Sequence, residues 1–591
     1  MSNAIMRKTV HVDVIIPVHN ASETIEETVQ SVFRQSIPEE WGNYPNWIDP
    51  KDSKKTSLSV LDSYKRHSLN DEIETIYINI CCYDDGSTDD SWNILKRLQK
   101  THEQKRSQTN HYYTNDTQNK FIIHMMIASN ESGIAQGAGS ARNRAVALHK
   151  RLQVKEEVSS SSSHQRYLCF IDSDDIMHEH RVAHQLAVML AMPIEEQNAT
   201  LLGCTFDRIP QDSTWHYTKW ANSLSDDRLS LERYREVTVI QPTWFMTRSR
   251  FEMLGGYIES SQGVQSYSSS DNIGVYKLIH SEYETIQTLR LAEDLRFFHA
   301  HLSFPYCNPS SNHEPICTIH GSNKRIQAVS SSSPSGTIKL VRTSPPLMTY
   351  RHREGQSQSS STSRKLLLHL RAKAFMDTVV RNNNQWLFDP NKENVANGFV
   401  IWGAGRDGKD FFKSLSHNDK HHVRCFVDVD EKKIHSGYYM VPFQNDNDRP
   451  NSSSSSITSQ FKIPILHYSM LIKDETLRHQ VQHEYLHGDM NSVKTSSLFG
   501  SITKCKPEIN HDTSVELEEP PNKKTKHQGR LTLKKKLHAI SKRDEENHKL
   551  MELLPTLSVV VCVAMYRSNG TLESNVKSIG RQEGVDLWHF S

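Results

Sequence analysis

The 591-residue sequence has no long apolar run. A helix that crosses a bilayer needs about 20 consecutive apolar residues, whereas the longest apolar stretch, residues 557–565, has only the length of a buried strand. Residues 1–10 also lack the apolar segment of a signal peptide. We therefore expect no membrane-spanning segment and a cytoplasmic location.

The chain also lacks an excess of charge and a regular cysteine framework. Its 70 Lys and Arg balance 69 Asp and Glu, which excludes a global basic field of the kind that attracts nucleic acid. The nine cysteines form no C-x-x-C pair, so they favour a reducing compartment. Apolar residues make up only 36% of the chain. The polar excess lies in Ser-, Asn- and His-rich blocks, which we interpret as loops around one large and one small core.

A cluster of three carboxylates follows an apolar run that starts at Tyr167. This pattern predicts a buried strand that ends at Asp172, Asp174 and Asp175. Carboxylates this close repel one another unless a cation lies among them, and oxygen ligands suit Mg²⁺ or Mn²⁺. The alternative is an acidic helix N-terminus, because Asp also caps helices.

Two earlier apolar segments, residues 12–20 and 76–83, also run into polar residues, as strands of an α/β sheet do at a ligand site. The candidate residues at these two strand ends are Pro17, His19, Asn20, Asp84 and Asp85. Asn20 or Ser22 could cap the helix that follows the first strand. The alternative for the second strand end is an Asx-turn with a helix cap.

A third strand, residues 121–127, leads to the glycine-rich segment 133–139. Small residues there allow close approach of the backbone to a ligand. A helix that begins near Ser140 would point its amides and Arg142 at phosphate. Glycines also occur in ordinary loops, so this segment alone is a weak signal.

Later segments carry further candidates. Glu293 and Asp294 begin a predicted helix and could supply a general base or merely complement the helix dipole. Trp244 and Arg248 lie in an aromatic and basic segment that could bind an acceptor or pack in the core. Arg351 belongs to a basic segment that could close on a diphosphate or remain an exposed loop.

The motifs IIPVHN, DDGSTDDS, GSARNRA, FIDSDD and EDLRFF occur in this order within about residues 10–360. Together they resemble the family 2 glycosyltransferases, which have the nucleotide-sugar-binding GT-A fold. The resemblance implies an enzyme that transfers a hexose from a UDP-sugar by a metal-assisted inverting displacement.

The resemblance also implies a role for each matched position. The positions implied to bind the nucleotide-sugar are Pro17, His19, Asn20, Asp84, Asp85, Arg142 and Asp172. His19 departs from the family, in which an aromatic residue usually lies against uracil. Asp174 would hold Mn²⁺ or Mg²⁺ together with Asp172, and Asp175 is the alternative ligand. Asp294, with Glu293 beside it, matches the base that removes a proton from the acceptor hydroxyl.

The second part of the chain contains Gly403, Gly405 and Gly408 after a predicted strand, and Asp428 lies about 20 residues beyond the last glycine. A dinucleotide site has this pattern. One such unit is only half of a Rossmann domain. We therefore interpret it as a small Rossmann-like module that binds no cofactor or senses a nucleotide.

The pairing of the two modules, with IPILHYSML near residue 463 and GRQEGVDLWHFS at the end, resembles one subfamily of these glycosyltransferases. That resemblance implies transfer of galactose from UDP-galactose to queuosine in the anticodon of tRNA-Tyr. A tRNA acceptor needs local basic and aromatic residues, for which Trp244, Arg248 and Arg351 are candidates. Two alternatives stay open: a UDP-N-acetylglucosamine transferase that acts on a β-galactoside glycan, and a noncatalytic nucleotide-sugar-binding protein.

The predicted architecture is an α/β protein with two modules. A GT-A domain spans residues 10–360, a connecting helix 361–396 and a small Rossmann-like domain 397–591. We expect the last domain to carry disordered inserts at about 444–460 and 505–550.

Overall fold

The computed structural model divides the chain into two compact units, Met1–Ala374 and Phe375–Ser591. It describes residues 8–37, 73–108, 121–153, 165–259, 291–303, 339–353, 362–388, 397–442, 460–487, 550–563 and 570–590. The predicted inserts at 444–460 and 505–550 lie outside these ranges, except for their final residues.

The described part of the first unit is built on an eight-stranded sheet with the order β3-β2-β1-β4-β7-β6-β8-β5. Its strands are β1 (Lys8–Val18), β2 (Ile73–Asp84), β3 (Phe121–Ser129), β4 (Gln165–Phe170), β5 (Ile176–Met177), β6 (Thr200–Ile209), β7 (Phe245–Thr247) and β8 (Lys339–Arg351). Strands β1 to β4 are parallel. Strand β7 is antiparallel to β4, and β8 is parallel to β6 but antiparallel to β5.

Helices cover both faces of this sheet. They are α1 (Ile25–Phe33), α2 (Ser91–Gln108), α3 (Ala138–Gln153), α4 (Arg181–Leu190), α5 (Ile194–Ala199), α6 (Trp215–Ser223), α7 (Asp226–Leu231), α8 (Arg248–Met253), α9 (Glu293–Ser303) and α10 (Arg364–Phe375). Val14 of β1 belongs to a core cluster with residues of α1, α2 and α4, whereas Ile15 belongs to a second cluster with residues of α3 and α9. Because both faces are buried, the central strands read as continuous apolar runs.

The predicted strands at 12–20, 76–83 and 121–127 are confirmed, and the helix predicted from Ser140 begins at Ala138. The predicted cap is wrong. Helix α1 begins after Thr24, and neither Asn20 nor Ser22 caps it.

The described part of the second unit contains five parallel strands in the order β12-β10-β9-β13-β14, with β11 antiparallel at the edge beside β12. The strands are β9 (Phe399–Trp402), β10 (Val423–Asp428), β11 (Tyr438–Pro442), β12 (Gln460–His467), β13 (Ser558–Val561) and β14 (Leu587–His589). The helices are α11 (Arg406–Ser414), α12 (His417–Lys420), α13 (Glu431–His435), α14 (Glu475–His487) and α15 (Thr571–Ser578).

Numbered from β9, the parallel strands follow the order 3-2-1-4-5 of a doubly wound nucleotide-binding sheet, and the order reverses between β9 and β13. The expectation that half of such a domain is missing is therefore wrong. Strands β13 and β14 supply strands of the second half from the end of the chain. In the parts of the chain that the structure describes, no helix is long and apolar enough to span a membrane.

Candidate active site

The carboxyl ends of β1, β2 and β4 lie side by side and collect the polar residues that the sequence places at strand ends. Pro17 and Val18 of β1 pair with Tyr83 and Asp84 of β2, and the amide of Asp85 donates to the Val18 carbonyl at 2.8 Å. The first and second predicted strand ends are therefore adjacent at one edge of the sheet.

Asp85 holds the glycine-rich segment against this edge. Its Oδ2 atom accepts hydrogen bonds from the amides of Gln136 and Gly137, both at 2.7 Å. Its neighbour Asp84 is also buried, and Oδ2 of Asp84 accepts the Ser87 amide at 3.3 Å. Oδ1 of Asp84 is buried and has no hydrogen-bond partner among the described residues. Asp84 thus has acceptor capacity left for a ligand, whereas both oxygens of Asp85 contact the protein.

His19 and Asn20 form the exposed corner that follows β1. The His19 Nδ1 atom lies 3.2 Å from the Asp85 carbonyl oxygen. Asn20 has a φ of 51°, a conformation that Asn tolerates better than most residues. Its Oδ1 accepts the Thr88 amide at 2.8 Å, which ties the corner to the segment after β2. The His19 ring remains exposed beside the sheet edge.

The three-carboxylate cluster after β4 combines one fully buried carboxylate with two partly buried ones. Asp175 is fully buried; its Oδ1 accepts the Arg351 amide at 2.9 Å, and its Oδ2 has no partner among the described residues. The nearest atoms of Arg353 and Asp174 are 3.6 Å apart. Burial and then the charge of Asp172 raise the pKa of Asp174 to about 6, and the same causes raise the pKa of Asp175. Such a cluster favours a bound cation.

Arg142 joins this cluster to the acid pair at the start of α9. Its Nη2 atom donates to Asp172 Oδ1 at 2.8 Å, and its Nη1 atom donates to Glu293 Oε1 at 2.9 Å. The Arg142 side chain is only 6% exposed, and its carboxylate partners hold its pKa above the usual value despite burial. The two predicted groups of acids therefore belong to one site.

Asp294 is the acid of this pair that has no ion pair with Arg142. Among the described residues, its Oδ1 accepts only the amide of the next residue, Leu295, at 2.7 Å. Burial raises the pKa of Asp294 to about 7, and the adjacent Glu293 charge adds to the shift. A carboxylate with a pKa near neutrality is well suited to accept a proton at physiological pH.

Tyr257 belongs to this site although the sequence analysis did not select it. The Arg142 guanidinium lies 5.5 Å from the centre of the Tyr257 ring. A Cβ atom at Gly139 would lie 3.1 Å from the Tyr257 Cβ and 3.4 Å from that of Glu293. The glycine of the GSARNRA motif thus lets α3 approach Tyr257 and α9. A glycine at this position is the sequence feature that could have indicated a close neighbour such as Tyr257.

The predicted acceptor roles of Trp244 and Arg248 are contradicted by their positions. Trp244 is fully buried and its indole N–H donates to the Val239 carbonyl at 2.7 Å. Arg248 is buried and forms an ion pair of 2.9 Å with Asp13, which is itself fully buried. Neither side chain can reach an acceptor in this arrangement. Both belong to the core.

Arg351, in contrast, lies at the carboxylate cluster. Its backbone amide binds Asp175, and its guanidinium donates to Glu27 at 2.6 Å. The rest of the predicted closing segment, residues 354–357, lies outside the described residues.

The glycine motif of the second unit is closely packed against its own surroundings. A Cβ at Gly408 would lie 1.9 Å from the Gly403 carbonyl oxygen. Asp428 accepts the Ala404 amide at 2.7 Å and the Lys433 ammonium at 3.1 Å through the same oxygen. Asp428, the acid that would bind a ribose in a dinucleotide site, is therefore hydrogen-bonded to the glycine loop.

Among the residues that the structure describes, no three His, Cys, Asp or Glu side chains form a group that could hold a metal ion by themselves. A cation at the Asp172–Asp174 pair would need further ligands, which a substrate diphosphate and water could provide.

No protein-family model matches the chain. Among solved structures, the chain is similar to S. aureus TarS 1–349 in complex with UDP-GlcNAc, with 13% identity over 63% of this chain and 68% of that chain and a TM-score of 0.30. TarS 1–349 in complex with UDP gives 12% identity over 70% of this chain and 84% of that chain, also with a TM-score of 0.30. A further S. aureus TarS structure gives 12% identity over 70% of this chain and 50% of that chain, with a TM-score of 0.29. TM-scores this low carry no argument, so the functional assignment depends on the motifs and the site geometry.

Proposed function

We propose that the first unit is a metal-dependent glycosyltransferase that transfers a hexose from a UDP-sugar to a hydroxyl group. The observation that carries this proposal is the double ion pair of Arg142, which joins Asp172 to Glu293. It brings a carboxylate cluster and the half-buried acid Asp294 to one edge of one sheet. A displacement at a sugar carbon needs groups for the departing diphosphate and a base for the incoming hydroxyl.

A divalent cation fits the carboxylate cluster. The buried Asp175 Oδ2 atom has no partner among the described residues, and burial together with the charge of Asp172 raises the pKa of Asp174. Magnesium sites at substrate phosphates commonly use one or two carboxylates, so Asp172 and Asp174 would hold Mn²⁺ or Mg²⁺, with Asp175 behind them. When bound, the ion would neutralise charge on the departing diphosphate.

Side chains of the protein carry out the proton transfer and hold the acids in place. Asp294 takes the proton of the acceptor hydroxyl, whose oxygen forms a bond to the anomeric carbon. The bond from that carbon to the diphosphate oxygen breaks, and its electron pair leaves with UDP. The anomeric configuration inverts because the two bonds lie on opposite sides of the carbon. Arg142 keeps Glu293 in an ion pair, so that Asp294 is the acid left to accept the proton.

UDP-galactose is the donor that we favour, and queuosine in tRNA is the acceptor. The support for both is the motif resemblance over the two modules of the sequence. The side-chain geometry supports a sugar-nucleotide transferase without selecting the hexose.

The test is a transfer assay with labelled UDP-galactose and UDP-N-acetylglucosamine in Mn²⁺. The acceptors are total tRNA from cells with and without queuosine, and a β-galactoside glycan. We expect label from UDP-galactose only in queuosine-containing tRNA. Transfer of N-acetylglucosamine to the glycan would reject the favoured donor and acceptor but retain the enzyme class. UDP binding without any transfer or UDP-sugar hydrolysis would reject the enzyme class as well.

A further inference from the structure

Arg208 lies at the carboxyl end of β6 in a cage of aromatic rings. Its guanidinium carbon is 4.4 Å from the ring centre of Tyr350, 5.5 Å from that of Phe206 and 5.9 Å from that of Tyr217. In the register of the sheet, Arg208 pairs with Tyr350 of β8. The rings fix the plane of the guanidinium and leave its edge as the part that can bind a ligand.

No acidic side chain of the described residues lies within hydrogen-bond distance of this buried cation. Arg208 is only 9% exposed, and its one hydrogen bond within the described residues runs from Nε to Thr218 Oγ1 at 2.7 Å. Its two terminal amino groups thus donate to no described residue. Burial lowers the pKa of Arg208, which expresses the cost of keeping the charge away from water. The terminal nitrogens are not closed off from the surface as the rest of the side chain is, so they can donate to an anion that approaches from outside.

The position of Arg208 connects it with the proposed active site. Residue Arg351, which follows Tyr350 in β8, binds Asp175 through its amide. The charge of Asp175 acts on Arg208, and the charge of Asp294 acts on the caging residue Tyr217. Arg208 therefore lies near the carboxylate cluster, on the strand beside the one that contacts it.

We propose that the Arg208 guanidinium binds a phosphate oxygen of one of the two substrates, an inference that rests on the proposed transferase function. A planar guanidinium matches the geometry of phosphate oxygens through two parallel N–H donors. Acidic side chains already crowd this edge of the sheet, so an additional anion needs a cation of this kind. The phosphate belongs either to the donor diphosphate or to a nucleic-acid acceptor.

Two variants separate substrate binding from structural support. Arg208→Gln removes the charge, and Arg208→Lys keeps the charge but loses the paired donors. Lys219→Ala is the control, because Lys219 is exposed on the same helix as Tyr217 and Thr218. Circular dichroism and thermal unfolding identify any variant that fails to fold. If Arg208→Gln fails to fold, the comparison is made with Arg208→Lys.

The measurements are UDP and pyrophosphate binding by calorimetry in Mn²⁺, and the KM values for donor and acceptor. If the phosphate belongs to the donor, Arg208→Gln weakens UDP and pyrophosphate binding by about 10- to 100-fold, with a smaller loss in Arg208→Lys. If it belongs to the acceptor, UDP binding is unchanged and the acceptor KM rises by a similar factor. Folded variants with unchanged binding and unchanged KM values would overturn the proposal.

The outcome also distinguishes this inference from the proposed function. A wild-type protein that transfers no sugar, but whose pyrophosphate binding depends on Arg208, would reject the transferase and retain the oxyanion site. If the wild-type protein transfers sugar but the Arg208 variants bind both substrates as the wild type does, the transferase is retained and the oxyanion site is rejected.

Discussion

The two acids at the start of α9 differ in what compensates their charge. Glu293 is held by Arg142 at 2.9 Å, whereas Asp294 accepts the Leu295 amide and no other donor in the described part of the chain. Two adjacent carboxylates thus have different environments, which is how one residue of such a pair becomes a base near neutral pH. The proposed division of roles follows from this difference.

Replacement of Asp294 by Asn should abolish most of the transfer activity. The amide cannot accept the acceptor proton, so we expect kcat to fall by about 10²- to 10⁴-fold with little change in UDP binding. Glu293→Gln is the informative companion, since it weakens the Arg142 ion pair but leaves Asp294 in place. Full activity of Asp294→Asn in steady-state kinetics would exclude Asp294 as the base.

The pH dependence follows from the raised pKa of Asp294, which shifts from 3.8 to about 7. The base must be ionised, so kcat should rise with pH and level off above about pH 7. Because the folded-state pKa lies above the unfolded one, the protonated acid favours the fold, and this contribution is lost as pH rises through the folded pKa. Wild type should therefore lose stability relative to Asp294→Asn as the pH rises from about 4 to about 7, measured by urea unfolding.

Arg248 offers a test of a residue that the structure removes from the site. Burial raises the pKa of Asp13, and Arg248 is the main group that opposes the shift. Arg248→Met should lower the free energy of unfolding by about 3–5 kcal/mol, because it leaves a buried carboxylate without its partner. Glu252→Gln is the control, since Glu252 is the second, 44% exposed partner of Arg248 and should matter little. An unchanged unfolding midpoint for Arg248→Met, with reduced acceptor binding, would restore the acceptor role.

At the level of single residues, the sequence was most informative where a motif fixes both residue type and strand position. Asp172, Asp174 and Asp294 lie at strand and helix ends, where the pattern predicts them. The positions of Trp244 and Arg248 could not be predicted from the sequence. Aromatic residues occur both in cores and at RNA surfaces, and an arginine can form either a core ion pair or a contact with RNA. Arg208 carries no motif at all, and only the sheet register brings it near the acids.

The strands differ in whether the local sequence is enough to predict them. The strands from β1 to β4 are predictable because each is an apolar run with polar ends. Strand β13 lies in the apolar stretch 557–565, whose length alone indicates a buried strand. Its pairing with β9 could not be predicted, since more than 150 residues separate the two strands.

The contact between β9 and α11 depends on the absence of a side chain at Gly408. A Cβ there would lie 1.9 Å from the Gly403 carbonyl oxygen, and neither backbone can move without disturbing the strand or the helix. Gly408→Ala should therefore destabilise the second unit by more than about 3 kcal/mol, above the usual cost of overpacking.

Gly405→Ala is the matched control, because its Cβ would have only the flexible Lys433 ammonium within 4 Å, at 3.7 Å. We expect a loss of less than about 1 kcal/mol for this variant. Hydrogen exchange in β9 and β10 reports the difference. Equal protection of the two variants would contradict the close packing that the structure places at Gly408.

At the scale of the whole molecule, the described cysteines share one environment, the buried core. Within the described part of the chain, the cysteines are free and buried at positions 81, 82, 169, 204, 425 and 562. Burial raises the pKa of Cys82 and Cys425, so their reactive thiolate forms are scarce. Alkylation of the native protein followed by peptide mapping should leave these six thiols unmodified, whereas urea should expose them. Rapid labelling of any of them in the native state would contradict their burial.

The two units differ in how far their sheets could be foreseen. In the first sheet, the motifs at the ends of β1, β2 and β4 indicated the strands that carry the site. The second has the order 3-2-1-4-5 only because β13 and β14 return from the end of the chain. The glycine motif alone therefore suggested a smaller module than the structure contains.

The central claim is that the carboxylate cluster and Asp294 form one active site with separate tasks. The most direct test measures Mn²⁺-dependent UDP binding by calorimetry and sugar transfer under the same conditions, in wild type, Asp174→Asn and Asp294→Asn. We predict that Asp174→Asn loses metal-dependent UDP binding together with transfer, and that Asp294→Asn keeps UDP binding and loses transfer. Undiminished transfer in either variant, or UDP binding that depends on Asp294 and not on Asp174, would contradict the account.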